Sequence, residues 1–288
     1  MKSTAVIRII IWSVTAFLLT ALLISVLLFG SIKNLGDWSF GITGEKYANS
    51  EKYSVGGGNV SDFIDTLKIN WVSGEITVIG YDGDTIEISE IGSNSDENKL
   101  RYLSENGTLT IQAVKAGVRF GFNSLPKKKL TVKIPEAMRL GFKKIDIEST
   151  SAEIKINEIG ADTIEIDTVS GNAWFEKIKT ESLKCETVSG DIKATGEVGR
   201  LESDSVSGEI SVMTSAKLKK VETESVSGDI TLEIPEDNGF TLEIDTASGD
   251  LECDLPLTVR SDKKAYLDGG AEFDINSVSG DIIIKAAK

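Results

Sequence analysis

The side chains that could carry chemistry in this sequence are carboxylates, and they recur at fixed positions. Four residues before a repeated glycine stand Glu148, Asp167, Glu186, Asp204, Glu224 and Asp245. Six before it stand Asp146, Glu165, Glu202, Glu222 and Glu243, interrupted by Lys184, and Asp191, Glu209, Asp229, Asp250 and Asp281 directly follow it. Columns of oxygen ligands suit a hard cation such as calcium, facing carboxylates suit glycoside cleavage, and an acidic stripe suits a basic ligand. Plainer roles compete with each. Acids on an outward strand face keep it solvated and block edge-to-edge pairing, and an Asp after a corner glycine bonds nearby amides. The calcium-solenoid phrase Gly-Gly-x-Gly-x-Asp is absent. No metal ligands are therefore assigned, and the Glu148 to Asp245 column is read first as a solvated face.

The chain contains no histidine. That removes the usual general base, the Ser-His and Cys-His nucleophile pairs and most catalytic zinc sites. Cys185 and Cys253 fall in different inward columns and read as small core hydrophobes rather than a disulfide. Acids are plentiful but monotonous, without a singular cluster flanked by arginine or sugar-stacking aromatics. No catalytic residue and no cofactor is assigned.

The glycines belong to a phrase. Val169-Ser170-Gly171, Val188-Ser189-Gly190, Val206-Ser207-Gly208, Val226-Ser227-Gly228, Ala247-Ser248-Gly249 and Val278-Ser279-Gly280 place successive glycines 19, 18, 20, 21 and 31 residues apart. Thr150-Ser151-Ala152 is a degenerate copy, and Val72-Ser73-Gly74 an isolated earlier one. Aliphatic residues alternate on both sides of the glycine: Ile145, Ile164, Leu183, Leu201, Val221 and Leu242 before it, Ile154, Ala173, Ile192, Ile210, Ile230, Leu251 and Ile282 after it. Period-two alternation on either side of a turn means two short strands per repeat, each with one inward face. A period near 19 residues stacks these into a parallel β-solenoid. The predicted fold is all-β: a solenoid with an N-terminal β cap, preceded by one transmembrane helix.

That helix is residues 9–30, uncharged and apolar over Ile9 to Phe29. At about 1.5 Å per residue it spans a hydrocarbon core of roughly 30 Å. It is too long for a signal h-region, and Leu28-Phe29-Gly30 offers no small-x-small cleavage site. Lys2 and Arg8 precede it, so the positive-inside rule puts residues 1–8 in the cytoplasm and the rest outside the cell membrane. Beyond the span, 29 basic and 45 acidic residues leave a net charge of −16, which repels nucleic acid.

Residues 31–58, ending in Gly56-Gly57-Gly58, read as a linker, residues 59–140 as a partly antiparallel cap and residues 141–288 as the repeats. Within the cap, Arg119, Phe120, Phe122, Lys127, Lys128 and Lys129 form a basic, aromatic cluster. It reads as a hairpin tip, with contact to membrane headgroups or an anionic wall polymer as the functional alternative.

The phrases Ile69-Asn70-Trp71-Val72-Ser73-Gly74-Glu75-Ile76 and Tyr81-Asp82-Gly83-Asp84, followed by the tandem Val-Ser-Gly-Asp copies, resemble the bacterial putative-adhesin β-solenoid family that includes LiaG-like proteins. The similarity covers about residues 60–288. It implies a membrane-anchored envelope protein linked to envelope-stress response, and it carries over no catalytic residues. The leading expectation is a tethered extracytoplasmic binding or scaffold module, partnered by the membrane through its anchor and by an envelope polymer or protein. A carbohydrate-active β-helix enzyme and a self-assembling surface polymer are the alternatives.

Overall fold

A computed structural model describes residues 39–41, 50–115, 119–121, 127–260 and 263–287. The transmembrane expectation for residues 9–30 and most of the linker lie outside them. Among the described residues, no helix is long and apolar enough to cross a membrane.

The repeats stack as parallel rungs. Ile145, Ile164, Leu183, Leu201 and Val221 pair in register from strand to strand, as do Ile192, Ile210 and Ile230 on the other side of the corner. All eight are almost wholly buried, so the inward columns form one continuous core. Neighbouring rungs share that core, and none could bury its apolar face alone.

The corner glycines do more than turn the chain. Gly190, Gly208 and Gly228 have φ of 156°, 151° and 146°, and a Cβ on each would lie 2.1–2.3 Å from the carbonyl oxygen of the glycine one rung before. Stacked backbone fills the space a side chain would need. Beside them the phrase's acids staple rung to rung. Asp191 Oδ1 accepts the Glu209 amide at 3.0 Å, and Asp229 Oδ1 accepts the Asp281 amide at 2.9 Å.

Two features depart from simple stacking in chain order. The earlier Val72-Ser73-Gly74 copy is not isolated. Its strand Thr66–Tyr81 pairs in parallel with Phe142–Asn157 over nearly its whole length, so rungs in register begin upstream of residue 141. The last two repeats are also exchanged. Ala271–Ser279 lies between Lys220–Ser227 and Phe240–Ser248, pairing in parallel with both. Ile282–Ala286 is likewise held between Ile230–Ile234 and Leu251–Cys253. The chain runs past one rung position, makes the terminal rung, turns through the antiparallel strands Thr258–Arg260 and Lys263–Tyr266, and returns to fill the gap. The apolar run Ile282-Ile283-Ile284 therefore lies inside the stack rather than at its open end.

At the other end, Thr108–Gln112 and Lys127–Pro135 make one more parallel layer on Thr66–Tyr81. Antiparallel strands Arg101–Glu105 and Ile86–Ile91 then close that layer. Ser54–Val55 and Gly58–Val60 add short outer edges.

Candidate functional site

The first halves of the rungs carry the acidic column on the face opposite the core. Pairing gives the order Asn70, Glu148, Asp167, Glu186, Asp204, Glu224, Asn276 and Asp245. Five of the six predicted carboxylates are therefore contiguous, at about 4.8 Å per rung. The sixth, Asp245, is separated from Glu224 by Asn276, because the last two repeats exchange places. The expectation of six successive acids is corrected to five, bounded by an asparagine at each end.

Nor is this face fully solvated. Burial, followed by the charges of Glu186 and Glu148, pushes Asp167 up to about 7. Burial, followed by Glu224 and Glu186, pushes Asp204 up to about 7. Like charges stacked in a partly desolvated stripe favour the neutral acid. The adjacent column is relieved by cations: Lys144 reaches Glu165 at 2.5 Å and Lys184 reaches Glu202 at 2.6 Å. Among the described residues, no group of three or more acidic or cysteine side chains is arranged to hold a metal ion.

The basic cluster is dispersed. Arg119 and Phe120 lie in the strand Arg119–Gly121, which pairs antiparallel with Ser39–Gly41, and Phe122 is outside the described residues. Lys127 is exposed, and Lys129 pairs with Glu75 at 2.6 Å. Lys128 is no surface contact at all. Its side chain is 1% exposed and its Nζ lies 2.7 Å from Glu90, itself 7% exposed. That ammonium also donates to the carbonyls of Asn98 and Ala113 and sits 4.8 Å from the centroid of the Trp71 ring. Alternation along Lys127–Pro135 explains the split, since neighbouring residues face opposite sides of a strand. Burial lowers the Lys128 pKa, opposed by Glu90. Lys128, with Glu90 and Trp71, locks the cap, and its place in phase with the inward Leu130 rather than with Lys127 and Lys129 was its one sequence signal.

Both cysteines are free thiols. Cys185 is buried, and burial raises its pKa. Cys253 is half-buried in the terminal rung and in the other column, four rungs from Cys185 and so roughly 19 Å from it along the stack alone. A shallow groove follows one corner past Ala161, Thr180, Gly199 and Ala216. Its rim charges are neutralised in pairs, Lys179 to Glu197 at 2.7 Å and Lys219 to Glu181 at 3.6 Å.

One surface escaped the sequence reading: the outer edge of the terminal rung, residues 243–253. The 31-residue final spacing and the Asn at position 276 were the signals that could have found it.

Residues 64–285 match the family described as Toastrack DUF4097. A comparison with curated proteins finds no match. Similar solved structures include a putative adhesin from Bacteroides fragilis NCTC 9343, 16% identical with a TM-score of 0.47, aligning 82% of this chain with 98% of that one. A putative lipid binding protein from Parabacteroides distasonis ATCC 8503 is 18% identical with a TM-score of 0.40 over 82% of this chain and 97% of that one. A putative cell adhesion protein from Clostridium sporogenes ATCC 15579 is 18% identical with a TM-score of 0.38 over 82% and 100%.

Proposed function

The chain belongs to the Toastrack DUF4097 family, and on that footing we propose that it is a membrane-tethered, extracytoplasmic binding or scaffold module of the bacterial envelope. The observation that carries this reading is the in-register acidic ladder from Glu148 to Glu224, a long repetitive surface rather than a cleft. Such a stripe concentrates cationic partners along its length. Its carboxylates share one strand face instead of facing each other across a bound sugar, which speaks against glycoside cleavage. The apolar run over residues 9–30 and the positive charges before it supply the tether and the orientation. A role beside envelope-stress signalling, as in LiaG-like proteins, belongs to the same proposal.

The test uses intact cells. With Cys253→Ser removing the half-buried thiol, Glu51→Cys introduces an exposed one near the linker's predicted end. A membrane-impermeant maleimide should label it without lysis. Labelling that requires lysis would overturn the orientation, and recovery of the unextracted protein in the soluble fraction would overturn the tether.

A further inference from the structure

The two ends of the stack are finished differently. At the cap, the outer side of the last parallel layer is paired along all of Thr108–Gln112 and along Lys129 to Lys133 of Lys127–Pro135. At the far end, Phe240–Ser248 has nine residues, and the covering strand Lys263–Tyr266 pairs with three of them, Phe240 to Leu242. Among the described residues no strand pairs with the outer side of 243–248. Leu251–Cys253 pairs with Ile282–Ile284 and with no other described strand.

Backbone direction shows which groups are left open. Gly239 O accepts the Ala271 amide at 3.0 Å, so the polar groups of alternate residues from Gly239 to Asp245 point to the inner rung. Alternation then sends those of Ile244 and Thr246 outward, in phase with Phe240 and Leu242, which lie opposite Tyr266 and Lys264 on that outer side. An open edge of this kind is a template for another strand. The core beneath it is also incompletely covered, since Ile244, Leu251 and Cys253 are half-buried where their counterparts in inner rungs are buried.

We propose that residues 243–248 are a β-augmentation site for an extended, basic polypeptide segment. Main-chain bonds would supply affinity, and alternate side chains would supply selectivity. Glu243, Asp245, Asp250, Glu252 and Asp254 flank the edge, while Lys263, 2.8 Å from Glu243, offsets one of these charges. Basic residues on the outward side of an incoming strand neutralise this charge, and aliphatic residues on its inward side cover Ile244. A second copy fits poorly, because antiparallel self-pairing sets Glu243 and Asp245 against like charges. The proposal rests on the binding-module reading and names its site. Thiol labelling reports the tether whatever the edge does, so the two can fail separately.

The probe is a fluorescent ten-residue peptide alternating lysine and valine, titrated against the full-length protein in nonionic detergent. Saturable binding is expected, with no binding of the matching glutamate-valine peptide. Methylating alternate amides of the lysine peptide keeps its charge but removes ladder donors, and should weaken binding at least about tenfold. Thr246→Pro removes one outward amide and should do the same, while Asp245→Lys should weaken it by a similar factor. Equal binding of the methylated peptide would reduce the interaction to charge attraction and overturn the proposal, as would no binding. Dimers that form without peptide and disperse in Thr246→Pro would overturn it in favour of a second copy. The methylated peptide keeps the test decisive even if Thr246→Pro misfolds.

Discussion

Gly280 stacks directly on Gly228: a Cβ added at Gly280 would meet the Gly228 carbonyl oxygen at 2.3 Å. Gly249 stacks in turn on Gly280, where its Cβ would lie 2.1 Å from that carbonyl. The glycine column thus records the exchange of the last two repeats in the backbone itself, independently of any side chain.

That exchange can be tested by crosslinking. In a chain carrying Cys185→Ala and Cys253→Ser, Glu224→Cys with Asn276→Cys occupies paired positions. Adjacent rungs at about 4.8 Å fall within the Cα range of a disulfide. Glu224→Cys with Asp245→Cys spans two rungs, about 9.6 Å, beyond that range. Oxidation should close the first pair and leave the second reduced, as read by thiol titration. Stacking in chain order would give the reverse.

A methyl group at the corner should be costly. Gly228→Ala would place a Cβ 2.1 Å from Gly208 O at a φ of 146°. We expect about 3 kcal/mol of destabilisation from the strained backbone and the displaced rung. Thermal melts followed by circular dichroism would measure it, with the exposed Ser227→Ala as a control that should change little.

Stability should fall as pH rises. Asp167 and Asp204 ionise near 7 in the folded chain, against an ordinary value of 3.8. Between those values the folded state holds protons that the unfolded chain has released, so each step up in pH favours unfolding. Asp65 and Glu75 act oppositely: Lys143 and Lys129 hold their pKa down, and their contribution is lost in acid below the ordinary carboxylate range. Melting temperature should therefore peak near pH 4 and drop by roughly 5 °C by pH 8. The double variant Asp167→Asn, Asp204→Asn should be more stable than the parent at pH 8 and lose most of the decline. An unchanged slope in that variant would place the titrating groups elsewhere.

The buried pair in the cap makes a different prediction. Lys128→Met strands the Glu90 carboxylate, which is 7% exposed, and should cost about 3–5 kcal/mol. Adding Glu90→Leu removes the orphaned charge and should recover much of that loss. A double variant as unstable as the single one would show that the carbonyl and Trp71 contacts of Lys128, rather than its charge, hold the cap.

Alternation and period alone determined much of this protein. Ile145, Ile164, Leu183 and Leu201 occupy one column in the sequence and one column in the core, because a solenoid rung pairs with a neighbour of nearly equal length in the chain. The two-strand repeat, the inward faces and the acidic column were legible for the same reason. What tertiary structure decided lies where pairing ceases to follow chain order. The sequence could not show that Asn276 divides Glu224 from Asp245, since a 31-residue spacing fits a long loop as well as a rung skipped and later filled. Lys128 looked like part of a basic surface because neighbouring lysines share a charge but not a strand face, and its partner Glu90 is 38 residues away. The open edge at 243–248 exists because a short hairpin covers three residues of the terminal strand, and strand coverage is a property of packing that no local pattern encodes.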